Sequence, residues 1–278
     1  MRRRTAGLLF ASVLAAHDLA AQPPEGVTLP GTELRRITSE HNGVDYKIYV
    51  ALPNGYAAGE RRYGVVYTLD ADYSFAIARN VIEHLSDRNH LEPLIVVSIA
   101  YEAPSRYRLD RTRDYTPTHT LEGGYGPEMQ KHSGGGPKFR DFLIEELVPF
   151  IDRTYRTDSG KRALAGHSYG GLFTTWVMLT TGSTSFNRFI IVSPSLWYDD
   201  GMIFEVMKNA QPAGRVYLAA GALENPVMAA GVRRLAGELR KPARAGLAIR
   251  HEILEGETHN SIFPAAFSRG LRWAFGGR

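Results

Sequence analysis

The sequence predicts an α/β fold: a mostly parallel sheet of about eight strands with helices on both faces. Short apolar runs alternate along the chain with stretches of helical periodicity, which is typical of parallel strands joined by crossover helices. Two of these runs, GVVYTLD (64–70) and LIVVSIA (94–100), are almost wholly apolar, as expected of strands covered on both faces. No internal repeat or long low-complexity linker interrupts the 278 residues.

Each element has its own signal. A turn signal, HNG (41–43), separates the first two strands, and the second strand alternates apolar with polar residues. Apolar residues recur on one face of the stretch 139–155, which predicts a helix. The predicted strands are 34–39, 45–52, 64–70, 94–100, 162–166, 189–192, 216–220 and 249–254, and the main predicted helices are 75–85, 139–155, 170–180 and 261–275.

One segment, residues 101–137, breaks the alternation. It is rich in Gly, Pro, Arg, Tyr and Thr and carries no clear period. We therefore expect a long excursion over the surface, and loops of this length inside a domain usually serve function.

The N-terminus has the pattern of a signal peptide. Three arginines (2–4) precede a short apolar stretch (6–16), and small residues follow at Ala20 and Ala21. We expect cleavage near Ala21, a single mature domain over 22–278, and a periplasmic or secreted protein. No later segment is apolar over the length that a membrane crossing needs.

Composition excludes several classes of function. The chain has no cysteine, so disulfides, thiolate metal sites and a cysteine nucleophile are excluded. The net charge of +4 falls to +2 once the three arginines and one aspartate of residues 1–21 are removed, which is too weak to indicate a nucleic-acid partner. No metal-ligand cluster or dinucleotide loop stands out, so no metal and no cofactor are expected.

The strongest chemical signal is the pentapeptide GHSYG (166–170), a G-x-S-x-G motif. It lies between a predicted strand and an amphipathic helix, where Ser168 would occupy a sharp turn with its hydroxyl exposed above the sheet. Gly166 and Gly170 suit this turn because strand and helix approach closely there. The pattern predicts Ser168 as the nucleophile of an α/β-hydrolase fold.

A serine hydroxyl needs a base and a group that orients the base. His259 follows the last strand and is the favoured base, whereas His251 lies inside that strand. Glu224, in the loop after the strand RVYLAAG (215–221), is the favoured acid. The alternatives for the acid are Asp199, Asp200, Glu255 and Glu257.

The oxyanion of an acyl-transfer intermediate needs two backbone N–H donors. Tyr169, directly after the nucleophile, is expected to supply one. The other is expected from the turn after the strand 64–70, near Ala71 and Asp72.

Four stretches, taken together and in order, resemble the putative esterase (esterase D-like) family of α/β hydrolases, and within it the esterases that cleave the siderophores enterobactin, salmochelin and bacillibactin. They are YTLDADYSF (67–75), SGGGPKFRDFLIEELVPFIDRTYRT (133–157), LAGHSYGGLF (164–173) and IIVSPSLWYDD (190–200). The resemblance runs from about Val44 to the C-terminus. It implies Ser168 and His259 as nucleophile and base, Glu224 as the glutamate of a Gly-x-x-Glu after the seventh strand, and the Asp72 backbone as an oxyanion donor. Ala71 departs from the glycine that relatives often have there.

The resemblance also implies a small-molecule ester substrate, such as a siderophore or another bulky aromatic acyl ester. Arginines and tyrosines crowd the segment 101–137, and we expect Arg111, Arg113, Trp197 and Tyr198 to bind substrate at the rim. The alternative for the arginines is pairing with Asp110 and Asp114. The alternatives for function are an acyltransferase on the same site and a catalytically silent binding protein.

Overall fold

The computed structural model describes residues 26–102, 106–182, 185–241 and 246–276. The predicted signal peptide, residues 1–21, lies outside the described residues. Eight strands form one sheet in the order β1-β2-β4-β3-β5-β6-β7-β8. The strands are β1 (Thr32–Thr38), β2 (Asp45–Ala51), β3 (Tyr63–Thr68), β4 (Leu94–Tyr101), β5 (Thr157–His167), β6 (Arg188–Val192), β7 (Gly214–Gly221) and β8 (Leu247–Leu254).

The sheet is mostly parallel, as predicted. Only the pairings of β2 with β1 and with β4 are antiparallel among the described strands, and the other five pairings are parallel. The strand order reverses at β4-β3-β5, and ligands bind beyond the carboxyl ends of the strands at such a point. The sequence prediction of an α/β-hydrolase fold with about eight strands is confirmed.

Helices cover both faces of the sheet. Side chains of alternate strand residues enter opposite cores: Val65 and Tyr67 pack in one, and Val66 packs in the other. Helices α1 and α10 lie over the Val66 face, and α2, α4, α6 and α9 over the opposite face. The helices are α1 (Ala71–Ser86), α2 (Tyr107–Tyr115), α3 (Pro127–Gln130), α4 (Gly136–Asp141), α5 (Val148–Thr154), α6 (Tyr169–Thr180), α7 (Tyr198–Gly201), α8 (Ile203–Lys208), α9 (Pro226–Leu239) and α10 (Ile262–Phe275).

The predicted helix 139–155 is found, but with a widened turn. A π-helical turn, Phe142–Leu147, joins α4 to α5. The turn ends two residues before Pro149, which has no N–H to donate to the carbonyl of residue 145. None of the helices within the described residues combines the length and the apolar character that a bilayer crossing requires.

The prediction of a surface excursion over 101–137 is wrong in part. Helix α2 lies within it, and the Tyr115 side chain is fully buried against Phe139 and Phe173. The polar composition is compatible with burial because Arg113 forms ion pairs with Asp110 and Asp114, at 2.7 Å in both cases. Paired charges are far less costly to bury than isolated ones.

Candidate active site

Ser168 lies in a strained turn between β5 and α6, with φ 60° and ψ −118°. A Cβ on Gly166 would lie 2.2 Å from the Gly170 carbonyl oxygen, so only glycine fits this close approach. The Ser168 amide donates to the Val192 carbonyl at 3.1 Å, and the Ser195 amide donates to the Ser168 carbonyl at 3.1 Å. These bonds hold a conformation that a serine adopts only when its surroundings enforce it.

His259 and Glu224 are joined across the carboxyl ends of β7 and β8. The His259 Nδ1–H donates to Glu224 Oε2 at 2.8 Å. The Glu224 side chain is fully buried, whereas the His259 side chain is 37% exposed. Because the carboxylate fixes the proton on Nδ1, Nε2 is left as the basic nitrogen.

The second oxygen of Glu224 is also fully occupied. Oε1 accepts from Ser193 Oγ at 2.6 Å and from the Gly221 amide at 2.5 Å. Burial alone would raise the pKa of Glu224, but the hydrogen bonds from His259, Ser193 and Gly221 outweigh it and hold the pKa below its ordinary value. Glu224 is therefore a carboxylate at neutral pH.

The loops that carry Glu224 and His259 are bonded to each other through their backbones. The Leu223 amide donates to the Glu257 carbonyl at 3.0 Å, and the Ala222 amide donates to the Leu254 carbonyl at 2.9 Å. A Cβ on Gly221 would lie 2.3 Å from the Glu257 carbonyl oxygen. The acid–histidine geometry thus depends on the packing of two loops and on a glycine between them.

Ser168 and His259 both line two cavities. The larger, of about 1250 Å³, also contains Glu224, Tyr169 and Trp197 in its walls. The smaller, of about 550 Å³, has four tyrosine or phenylalanine side chains in its walls. Its walls include Tyr73, Tyr107, Phe263, Arg111 and His167. The structure therefore brings Ser168, His259 and Glu224 to the wall of one cavity, and Ser168 and His259 also line a second.

The carboxylate bonded to His259 is Glu224 and not one of the alternative acids. Asp199 accepts from Thr118 Oγ1 at 2.5 Å and, with Asp200, lines the larger cavity. Glu257 accepts from Ser261 Oγ at 2.5 Å. His251, expected to be structural, has its Nδ1 beside Arg240 Nη2 at 2.8 Å.

The two predicted oxyanion donors lie at helix N-termini. Tyr169 is the first residue of α6, and Asp72 is the second residue of α1. Backbone N–H groups in a first helical turn have no acceptor within their own helix and are available to an anion. The Asp72 side chain is exposed, so only its main chain is a candidate for the site.

The four predicted substrate-binding residues are placed differently from one another. Trp197 lines the larger cavity and is 36% exposed. Tyr198 is fully buried and donates to the Thr118 carbonyl at 2.8 Å. Arg113 is held by Asp110 and Asp114 and lines neither cavity among the described wall residues.

Arg111 is in the wall of the smaller cavity, but its side chain is only 4% exposed and is paired with Asp70. The expectation of an arginine-lined rim is therefore not met at Arg111 and Arg113, nor does Tyr198 reach the rim. Pairing with Asp110 and Asp114, the alternative for the arginines, is found for Arg113, whereas Arg111 pairs with Asp70.

Two residues at the site carried too weak a signal to be singled out from sequence. Ser193 directly follows β6, and only its position at the carboxyl end of a strand hinted at a role. His167 precedes the nucleophile, and its ring centroid lies 4.5 Å from that of His259. Burial, then the neighbouring His259 and Arg111, lower the pKa of His167 to about 3, so this imidazole is neutral.

Comparison with known proteins also indicates an esterase. The family described as "Putative esterase" matches residues 39–262. The chain belongs to the putative esterase family. The fold and the family together make it a carboxylic ester hydrolase.

Similar proteins of known structure or activity include siderophore esterases. BesA, a ferri-bacillibactin esterase of Bacillus subtilis, is 32% identical to this esterase over 265 residues, which cover 89% of this chain and 90% of BesA. The crystal structure of the BES protein from Bacillus cereus aligns with a TM-score of 0.80 and 27% identity, covering 92% of this chain and 99% of that one. An IroE-like serine hydrolase from Shewanella oneidensis aligns with a TM-score of 0.77 and 28% identity, covering 87% and 79%.

Proposed function

We propose that this esterase cleaves its substrate through an acyl-enzyme on Ser168, with His259 as the general base and Glu224 as the carboxylate that orients it. The observation that carries the proposal is the 2.8 Å bond from His259 Nδ1 to buried Glu224, in the wall of the cavity that also holds Ser168. A triad is recognised by such geometry and roles rather than by its sequence positions.

The steps follow from this arrangement. Ser168 Oγ attacks the ester carbonyl carbon while His259 Nε2 takes the hydroxyl proton, and the oxyanion that forms accepts from the Tyr169 and Asp72 N–H groups. The C–O bond then breaks, and the alcohol leaves with the proton from His259. Water, deprotonated by His259, attacks the acyl-enzyme; the acid leaves and Ser168 regains its proton.

We infer that the substrate is a bulky ester with aromatic groups, of the siderophore kind. Two features support this: the relatives that act on siderophores, and the aromatic side chains in the walls of both cavities that Ser168 lines. Leu121, Trp197 and Val227, large apolar side chains that are exposed, line the larger cavity and suit an apolar substrate surface. Trp197 is the proposed aromatic contact.

The negative charge of the larger cavity restricts which forms of such an ester it can bind. Glu122, Asp199 and Asp200 lie in its walls, and the described wall residues include no Lys or Arg. A ferric catecholate complex is strongly anionic, so these carboxylates disfavour it electrostatically. The proposed substrate is therefore the metal-free ester or a complex without large negative charge, in contrast to the ferri-bacillibactin that BesA is named for.

Labelling and turnover together test the proposal. Wild-type protein should react with a fluorophosphonate at Ser168, identified by peptide mass spectrometry, and Ser168→Ala should not react. A panel of short p-nitrophenyl esters, acetylated sugars, feruloyl esters and catecholate siderophores then reports the substrate. Folded protein that is neither labelled nor active on the panel would indicate a silent binding protein instead.

The same panel separates hydrolysis from acyl transfer. With an added acceptor alcohol, a hydrolase releases the free acid, whereas an acyltransferase yields a new ester. We also propose export by the predicted signal peptide, which N-terminal sequencing of protein recovered outside the cytoplasm would test by a start near residue 22.

A further inference from the structure

A buried ion pair lies directly behind the nucleophile turn. Arg111, on α2, donates from Nε to Asp70 Oδ1 at 3.1 Å and from Nη2 to Asp70 Oδ2 at 3.2 Å. The side chains are 4% and 0% exposed. Tyr107 Oη also donates to Asp70 Oδ1, at 2.9 Å. A bidentate pair of this kind fixes direction as well as distance.

Each nitrogen of the Arg111 guanidinium has a protein acceptor. Nη1 donates to Tyr125 Oη, and Nη2 approaches the His167 carbonyl at 3.5 Å. The guanidinium carbon also lies 5.5 to 5.9 Å from the ring centroids of four tyrosines. With its nitrogens engaged in this way, Arg111 has little capacity left to bind a substrate anion. Burial alone would lower the pKa of Arg111, but Asp70 and the tyrosines raise it, so the side chain stays charged.

The groups held by Arg111 belong to the two turns that carry the proposed oxyanion donors. Asp70 lies in the turn between β3 and α1, called here the β3 turn, two residues before Asp72. His167 directly precedes Ser168 in the turn between β5 and α6, the nucleophile turn. Both turns contain a residue of positive φ that is not glycine, since φ is 57° at Asp70 and 60° at Ser168. Such residues persist only where neighbouring groups enforce them.

We propose that Arg111 is a positioning residue that fixes the separation of the β3 turn from the nucleophile turn, and with it the geometry of the oxyanion hole. This inference rests on the proposed function, because it needs an oxyanion at Ser168. It assigns a role to the first helix of the segment 101–137. Oxyanion donors act over 2.7 to 3.1 Å, and a misplacement of about 1 Å can cost on the order of 100-fold in rate.

Arg111→Lys is the informative variant, because it keeps the charge beside Asp70 and loses the bidentate geometry. Arg111→Met would leave a buried carboxylate unpaired and is expected to unfold the protein. The substrate is p-nitrophenyl acetate, which has no anionic acyl group for an arginine to bind. We expect kcat to fall about 10- to 100-fold while KM changes by less than about 3-fold. The rate of fluorophosphonate labelling at Ser168 should fall in parallel.

Arg162→Lys is the matched control. Arg162 is at the middle of β5, the strand that leads to Ser168, and forms an ion pair with Asp152 of α5; the two side chains are 8% and 30% exposed. The Arg162→Lys variant should lose about as much thermal stability as Arg111→Lys, with kcat unchanged. Two outcomes would overturn the inference: a loss of kcat in Arg111→Lys no larger than in the control, or a rise of KM confined to anionic substrates. A wild-type protein that fails to label at Ser168 would instead refute the proposed function.

Discussion

In the proposed mechanism the His259 imidazole offers Nε2 to Ser168, and the bond from Nδ1 to Glu224 stabilises the tautomer that this needs. Glu224 is itself oriented by hydrogen bonds from Ser193 and the Gly221 amide. A base that is held in this way is what a weak serine nucleophile requires.

Substitution of the triad should therefore be strongly non-additive. We expect Ser168→Ala and His259→Ala each to lower kcat by about 10⁴- to 10⁶-fold, and the double variant to be little worse. Glu224→Gln should cost about 10²- to 10⁴-fold, because an amide can hold the wrong tautomer. Steady-state kinetics on a p-nitrophenyl ester measures this, with the exposed Glu205→Gln as control. Full activity in Glu224→Gln would show that the acid is dispensable.

His167 makes a separate prediction, about stability and pH. Its pKa of about 3 in the folded state lies below the ordinary value of 6.5, so the unfolded chain binds a proton that the folded chain excludes. The contribution of His167 to the free energy of unfolding is therefore fully present above pH 6.5. It is lost as the pH falls from 6.5 toward 3, by about 1.4 kcal/mol per pH unit.

Urea unfolding of wild type and His167→Phe between pH 7.5 and pH 5 tests this effect. The wild type should lose about 2 kcal/mol more than the variant over that range. Other histidines cancel in the comparison because both proteins contain them. Parallel curves would mean that the folded protein accepts the proton.

At the scale of elements, the turns after β5, β7 and β8 are the parts of the site that sequence could predict. Carboxyl ends of parallel strands meet at one edge of a sheet, so a serine, a glutamate and a histidine that follow such strands are brought together by topology. The Asp70–Arg111 pair could not be predicted in this way. It joins a turn to a helix inside a segment without periodicity, and the polar composition of that segment suggested the surface.

An added methyl group would clash at Gly221 but not at Gly237, so alanine substitutions at the two positions test how the Glu224 and His259 loops pack together. Gly221→Ala would place a carbon 2.3 Å from the Glu257 carbonyl oxygen, pushing the His259 loop away from Glu224. We expect a loss of about 1 to 3 kcal/mol in stability and a fall in kcat.

The control is Gly237→Ala in helix α9, where no atom of the described residues outside the adjoining helix backbone lies within 4 Å of the added carbon. This change should stabilise the protein by about 0.5 to 1 kcal/mol with kcat intact, because alanine is the better helix former. Thermal unfolding and kcat, measured on both variants, show whether the close contact at Gly221 is needed for stability and activity. An active, stable Gly221→Ala would show that the two loops move independently.

For the whole molecule, the charge of the larger cavity predicts which form of a catecholate siderophore is cleaved faster. We expect kcat/KM for the metal-free triester to exceed that for its ferric complex, and the gap to narrow as salt screens the exposed carboxylates. Asp199→Asn combined with Asp200→Asn should raise kcat/KM for the ferric complex by about 2- to 10-fold. A preference for the ferric complex that is insensitive to salt would contradict the argument.

Ser168 is in the walls of two cavities, and so are Tyr125, His259 and Asn260. A substrate whose scissile ester is at Ser168 therefore has space for groups attached on either side of that bond. We expect a macrocyclic ester, which has no free end, to be cleaved as readily as its linear analogue, and comparison of kcat/KM for the two checks this.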